Sequence, residues 1–509
     1  MNAAEHLLGA AALARHGSRV ALICGDEELS YSELAARAAR AAGALATLGV
    51  RPGERVLMLM RDTPEFAAAW LGALRAGAVA VALNTKLSEA EYRHVLADCA
   101  PRLAIVEDRL AAARPDLSAE LAADGRLAVS GAAPAGLRSW AGLQQHARVA
   151  GAFDAAPDSP AFWLYSSGTT GRPKGIVHAH RSVLPAGRAM HEFGIAAGER
   201  VFTTSKFFFA YGLEHGLVGA LALGASSIVC ADWLDPEQAL ALVSRHRPVA
   251  FFSVPSFYRR LLALQAPRLE PFRGVRRFVA AGERLPLQLV EHWKSAVGGE
   301  ILSLYGMSET FCACMITPPG TSNGVRTGRP IQDVETRLVT AEAHEPAPGE
   351  PGVLWIRHPA LATGYANLPE RTREQFRDGW FCTGDLFVRD AEGFFVHQGR
   401  SDEMVKVAGQ WVQPGELEEA ALAETSVAEA ACVPVPDQDG LERLALFVAA
   451  RGDEGEAARA AAEACERSLP RHKRPKWVRA VAELPRTATG KVQRYKLREI
   501  LERELSRKT

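Results

Sequence analysis

Tyr165-Ser166-Ser167-Gly168-Thr169-Thr170-Gly171-Arg172-Pro173-Lys174-Gly175 decides how this chain is read. Three glycines, four Ser/Thr hydroxyls and one lysine fall within these eleven positions, directly after the apolar run Ala161-Phe162-Trp163-Leu164. Glycine lets a backbone curl until several N–H groups converge on one anion. Hydroxyls add donors, and Lys174 adds a mobile positive charge. Such a loop suits a polyphosphate. It differs from the Gly-x-x-x-x-Gly-Lys-Ser/Thr phosphate loop, because Gly175 follows the lysine where that pattern needs a hydroxyl.

The order resembles the phosphate-loop signature of the AMP-forming superfamily of acyl-CoA ligases, peptide-synthetase adenylation domains and luciferases. Four further segments match that family's motifs in the expected order: Tyr305-Gly306-Met307-Ser308-Glu309-Thr310, Gly379-Trp380-Phe381-Cys382-Thr383-Gly384-Asp385, Gly399-Arg400-Ser401-Asp402-Glu403-Met404-Val405-Lys406 and Pro485-Arg486-Thr487-Ala488-Thr489-Gly490-Lys491. The resemblance covers essentially the whole chain and looks nearest to the benzoate-CoA ligases.

Composition sets the outer bounds. A chain of 509 residues is too long for one simple core, so at least two domains are expected. With 48% hydrophobic and 23% charged residues it has the make-up of a soluble protein. Lys+Arg and Asp+Glu both number 59, so no global basic field attracts nucleic acid or an anionic membrane. Eight scattered cysteines read as reduced thiols of a cytoplasmic protein, and Cys312-x-Cys314 lacks the second pair that a zinc site needs. No secretory signal opens the sequence and no apolar run reaches membrane-spanning length. Monomer or homodimer is left open.

Helical and strand-like segments alternate through the first part: helices over 31–48 and 64–76, strands over 55–60, 78–83, 227–230, 249–254 and 277–282. That alternation predicts layered α/β subdomains with largely parallel sheets. After about residue 325, shorter strands at 353–356 and 394–397 predict a small β-barrel-like subdomain. Beyond Asp402 the pattern is α+β, with helices at 414–423 and 456–468 and strands at 430–435 and 444–449. The resemblance implies an N-terminal adenylate-forming domain over 1–401 and a small mobile C-terminal domain over 402–509, turning about Asp402.

The resemblance also assigns roles. The loop Ser166, Ser167, Gly168, Thr169, Thr170 and Gly171, with Lys174, would hold the ATP phosphates, and Thr170 with Glu309 would share one Mg2+ through hard oxygen ligands. Lys491 is expected to be the catalytic lysine of the first half-reaction. Asp385, following Gly384 at the end of a strand, would accept hydrogen bonds from the ribose hydroxyls, and Arg400 would add a contact. Gly282, Glu283, Tyr305, Gly306 and Thr310 would border the nucleotide, with Tyr305 stacked on adenine and Ala281 lining the pocket. Gly409 would border a pantetheine tunnel, while Arg474 and Lys476 would take the phosphates of coenzyme A.

Phe209-Ala210-Tyr211 resembles one wall of the acyl pocket in aryl-CoA ligases; Gly306, Cys312 and Ala313 would form the other. Glu214-His215 and Cys312-Ala313 stand where benzoate ligases usually carry Gly-Asn and His-Ile. The smaller Cys-Ala pair implies a wider or deeper pocket for a substituted or ring-bearing acid. The expected activity is conversion of a carboxylic acid to an acyl-adenylate and then to its coenzyme A thioester. The alternatives are a stand-alone adenylation enzyme that loads a carrier-protein thiol and a non-catalytic nucleotide binder.

Overall fold

The computed structural model describes residues 1–149, 151–167, 172–407, 410–438, 441–486 and 492–506. Gly168, Thr169, Thr170, Gly171, Gly409 and Lys491 lie outside the described residues, as does the side chain of Ser167. The chain forms two compact units: Met1–Arg337 with Trp355–Cys382 and Gly393–Phe395, and Leu338–Leu354 with Thr383–Glu392 and Val396–Thr509.

The first unit carries two large sheets, as the βα alternation predicts. In one, the strands Ile301–Tyr305, Arg277–Ala280, Ala250–Ser253, Arg200–Thr203, Ser226–Val229 and Val20–Cys24 run parallel in that order. Met315–Ile316 and then Arg329–Pro330 extend the first edge antiparallel. The other sheet has the order Gly364–Tyr365, Pro173–Ala179, Pro160–Ser167, Val79–Ala82, Arg55–Leu59, Leu103–Glu107 and Leu127–Ser130. Local chemistry sets the helices between them. Ser30 and Glu33 form a reciprocal capping box that starts Tyr31–Thr47, and Thr63 caps Pro64–Arg75, whose proline sits where its missing N–H costs nothing.

Pro160–Ser167, the strand that leads into the motif, is packed on both faces. Successive strand side chains point to opposite faces. Phe162 and Leu164 enter one core, while Trp163 and Tyr165 pack on another. The strand is thus pinned on both faces. It pairs antiparallel with Pro173–Ala179, register Ser166 opposite Lys174, so the hairpin fixes both ends of the phosphate-loop motif.

The shorter strands after residue 325 form a five-stranded sheet in the order Glu335–Val339, Gly352–Arg357, Trp380–Arg389, Phe376–Arg377, with Phe395–Arg400 also paired to Trp380–Arg389. One expectation is corrected here. Asp385 lies in the middle of Trp380–Arg389, not at a strand end. Gly384, at φ 73°, takes a left-handed conformation without interrupting the strand, because burial alternates regularly on both sides of it.

In the second unit, Val427–Pro436 and Glu442–Ala450 are antiparallel, and Trp477–Val481 joins the latter in parallel. Helices Pro414–Leu422 and Glu454–Ser468 contribute to one core against this sheet; Leu497 and Leu501 of Arg494–Ser506 contribute to another. The strands Val405–Val407 and Gln410–Val412 form a hairpin.

Candidate active site

Lys174 leaves its strand as a short-range positive charge, and Glu309 receives it. The Lys174 Nζ to Glu309 Oε1 distance is 2.8 Å, across 135 residues of sequence. Both side chains are close to nine-tenths buried. Burial by itself would raise the Glu309 carboxyl. The adjacent Lys174 charge and hydrogen bonds from Lys174 and Tyr365 outweigh it and hold the group below the usual glutamate range. Glu309 is therefore an ionised carboxylate in a dry setting.

Tyr365 was not singled out by the sequence, yet it touches both partners. Its hydroxyl donates to Glu309 Oε1 at 2.9 Å, and Lys174 Nζ lies 4.2 Å from its ring centroid. It also bonds Gln375. Ser166 Oγ, one strand position across from Lys174, is buried with no partner among the described residues.

The turn bearing Glu309 is clamped from behind by two buried histidines. His178 Nε2 meets Ser308 O at 2.8 Å, and His358 Nε2 meets Ala313 O at 3.1 Å. Desolvation pushes both imidazoles down to about 4, so both are neutral at pH 7 and donate from Nε2 to these carbonyls. Phe311, at φ 57°, takes the left-handed conformation, which a bulky residue adopts only under such restraint. Its ring packs on Phe162 and His178 at 4.9 and 5.7 Å. No local signal marks His178 or His358 in the sequence, because their partners are distant in the chain.

Gly306 is exposed at the end of Ile301–Tyr305, and a Cβ placed on it would lie 3.4 Å from Ala313 Cα. Tyr305 is half-buried, while Thr310 is buried and its hydroxyl reaches Met307 O and Cys312 O. Ala281 is buried beside Gly282, whose φ of 83° suits glycine. Glu283 accepts from Ser256 N and Oγ. Phe209 and Ala210 are half-buried at the start of the helix Ala210–Leu213. Tyr211 donates to Val279 O at 3.1 Å. Cys312 and Ala313 are fully buried; the Cys312 thiol lies 3.8 Å from Ser182 O, and Ala313 N donates to Glu214.

In the second unit, Arg400 links two candidates. Its Nη1 donates to Asp385 Oδ1 at 3.2 Å and to Thr383 O at 2.9 Å, while Nε and Nη2 grip both oxygens of Asp402 at 3.0 and 3.1 Å. Gly384 leaves room for this: a Cβ there would meet the Arg400 guanidinium at 3.0 Å. Lys476 pairs with Asp437 at 3.0 Å, and Arg474 donates to Leu469 O and Glu466 O at the end of Glu454–Ser468.

Among the described residues, no three His, Cys, Asp or Glu side chains converge to hold a metal on protein ligands alone. A single ionised carboxylate such as Glu309 nevertheless fits Mg2+, which usually takes one or two carboxylates and completes its shell with substrate phosphates and water.

Comparison with known proteins adds the following. Residues 10–366 match the AMP-binding enzyme family and 416–491 the AMP-binding enzyme C-terminal domain. The chain is 41% identical to a 3-hydroxybenzoate–CoA ligase of Aromatoleum sp. (strain CIB), covering 98% of this chain and 97% of that protein. It is 42% identical to a 3-hydroxybenzoate–CoA/4-hydroxybenzoate–CoA ligase of Thauera aromatica, covering 99% and 98%. A crystal structure of an anthranilate CoA ligase in complex with anthranoyl-AMP superposes with a TM-score of 0.91 at 31% identity, covering 99% of this chain and 98% of that one.

Proposed function

The chain belongs to the AMP-binding enzyme family, and on that premise we propose that it joins an aromatic carboxylic acid to coenzyme A at the expense of ATP. In the first half-reaction a carboxylate oxygen attacks the α-phosphorus, and the bond to pyrophosphate breaks. In the second the coenzyme A sulfur attacks the acyl carbon, the bond to AMP breaks and the thiol proton is released. The observation that carries the reading is the meeting of Lys174 with an ionised Glu309. One motif supplies a cation for phosphate, and another supplies a carboxylate for its counter-ion.

In this reading Lys174 exchanges its contact with Glu309 for the ATP phosphates, alongside Ser166, Ser167, Gly168, Thr169, Thr170 and Gly171. Glu309 and Thr170 hold Mg2+, which supplies charge neutralisation at the phosphates. Asp385 and Arg400 take the ribose; Gly282, Glu283, Tyr305, Gly306 and Thr310 border the nucleotide. Phe209, Ala210, Tyr211, Ala281, Cys312 and Ala313 surround the acyl group. Residues 402–509 act as the mobile domain. Turning about Asp402, they bring Lys491 to the first half-reaction and Gly409, Arg474 and Lys476 to the second. We place the enzyme in the cytoplasm, acting on small molecules and not on nucleic acid; a homodimer is compatible with this reading.

The test is pyrophosphate release over aryl, alicyclic and fatty acids, with and without coenzyme A. Aryl acids should give turnover that coenzyme A completes. Thioester formed only on a carrier-protein thiol would favour the adenylation alternative, and no pyrophosphate with any acid would favour a non-catalytic binder. Lys491→Ala should stop adenylate formation and leave thioester formation from supplied acyl-adenylate largely intact. Equal loss of both in a folded variant would refute that division of labour.

A further inference from the structure

Glu214 is a buried acid that the proposed reaction leaves without a task. It opens the π-helical turn Glu214–Val218, directly after Ala210–Leu213. Such turns displace side chains from the regular helical position and recur at functional sites. Glu214 is 2% exposed. Its two oxygens share one backbone donor, Ala313 N, at 3.3 and 3.1 Å, and the Cys312 thiol bonds it as well. A carboxyl group has about four lone-pair sites, and among the described residues a backbone N–H, a weak thiol donor and the His215 ring nitrogen at 3.4 Å fill only part of them. Buried polar groups in this condition call for a specific partner.

Its neighbour gives a second, independent indication. His215 is fully buried; its Nδ1 lies 3.1 Å from Tyr211 O and 3.4 Å from Glu214 Oε2. Its Nε2 is buried with no hydrogen-bond partner among the described residues. The ring packs on Tyr211 at 5.0 Å. Thus two polar side chains lie behind Tyr211 and Ala313, the residues assigned to the two acyl walls. Exposed Gly306 adjoins Ala313, and Ala313 N bonds Glu214, so one small residue lies between exposed Gly306 and the carboxyl. The two departures from the benzoate pattern, Glu214-His215 and Cys312-Ala313, are therefore in contact although 99 residues separate Glu214 from Ala313.

We propose that Glu214 is a specificity-determining residue that hydrogen-bonds a hydroxyl carried on the ring of the acid substrate. This rests on the aryl-acid reading above. A hydroxyl both donates and accepts, whereas hydrogen, methyl or a methyl ether cannot fill the donor role. Burial pushes the Glu214 carboxyl up to about 8 against the opposing pull of Ala313 N–H and Cys312, so at neutral pH it can also donate. A site built around such a group discriminates against an analogue lacking the hydroxyl more strongly than an apolar pocket does.

The experiment measures kcat/KM for pyrophosphate release by the full-length enzyme with benzoate, the three hydroxybenzoate isomers and their three methoxy counterparts. At least one hydroxy isomer should exceed benzoate by about 10-fold or more, and its methoxy counterpart should not. The readout for variants is the hydroxy-to-benzoate ratio, which general damage to the fold does not change. Glu214→Gln should retain most of the ratio, and Glu214→Leu should reduce it toward unity. Aryl turnover with no hydroxyl preference in the parent overturns the inference alone, and needs no variant to be folded. A ratio that survives in Glu214→Leu does the same. Absence of turnover with every aryl acid overturns the aryl reading and the inference together.

Discussion

Glu309 and Glu214 are both buried carboxyl groups, one within the segment 305–313 and the other packed against it, yet the first is held charged and the second is pushed toward its neutral form. Glu309 meets the Lys174 ammonium and the Tyr365 hydroxyl, and is held below the ordinary glutamate range. Among the described residues Glu214 meets only a backbone N–H, a thiol and a histidine that burial has itself depressed to about 4. It rises to about 8. Burial disfavours charge in both places, and the partners decide the outcome. The contrast matches the proposed tasks: a fixed negative charge suits cation and phosphate exchange, and an uncharged acid suits a neutral ring substituent.

The largest effect that could break this contrast follows from removing the cation. Lys174→Met should lower adenylation by more than about 100-fold. It should also cost ~3–5 kcal/mol of stability at neutral pH, because an unpaired charge is left buried. Adding Glu309→Gln should restore stability without activity. Urea unfolding and pyrophosphate release read the two quantities. A single variant as stable as the parent would show that Glu309 tolerates burial unaided.

The second test uses pH. A carboxyl whose folded-state pKa is raised keeps its proton while the unfolded chain releases it, so its contribution falls as pH climbs from the ordinary glutamate value toward the folded value. For Glu214 that window runs from 4.5 to about 8. Glu214→Gln, which preserves an acceptor for Ala313 N–H, should therefore gain on the parent across this window by a few kcal/mol. Glu309 has the opposite sign: its contribution is present above the unfolded value and is lost as pH falls through its lowered folded value. Thermal unfolding of the Glu214→Gln variant at a series of pH values is the measurement. A melting-temperature gap that does not change between pH 5 and pH 8 would sink the neutral assignment.

The third refills the space beside the neutral acid. Cys312→His with Ala313→Ile should place an imidazole against Glu214 and shift preference toward plain benzoate, by about 10- to 200-fold in relative kcat/KM. An unchanged acid profile would show that these positions do not shape the acyl pocket.

The smallest effect separates the two contacts of Tyr365. Tyr365→Phe loses the hydroxyl's hydrogen bonds to Glu309 and Gln375, worth about 1 kcal/mol each. Tyr365→Leu loses the ring beneath Lys174 as well, adding roughly 0.5–2 kcal/mol. Both losses should appear in the dependence on ATP and Mg2+ concentration and spare the KM for the acid. Equal losses in the two variants would remove the ring contact from the account.

Much of this molecule was written locally. Helical segments alternating with short apolar runs such as 250–253, and five motifs in order, were enough for the α/β class, the smaller C-terminal region and the candidates around Lys174 and Glu309. These features depend on neighbours a few positions away, so sequence exposes them. Only the tertiary structure decided what depends on distant partners. It placed Asp385 inside a strand, because a left-handed Gly384 accommodates Arg400 without ending the sheet pairing. It brought Tyr365 onto Lys174 and Glu309, and set His178 and His358 behind the turn that bears Glu309. It also gave two glutamates opposite charge states, since charge in a dry interior is fixed by the groups that packing brings within hydrogen-bond reach and not by residue type.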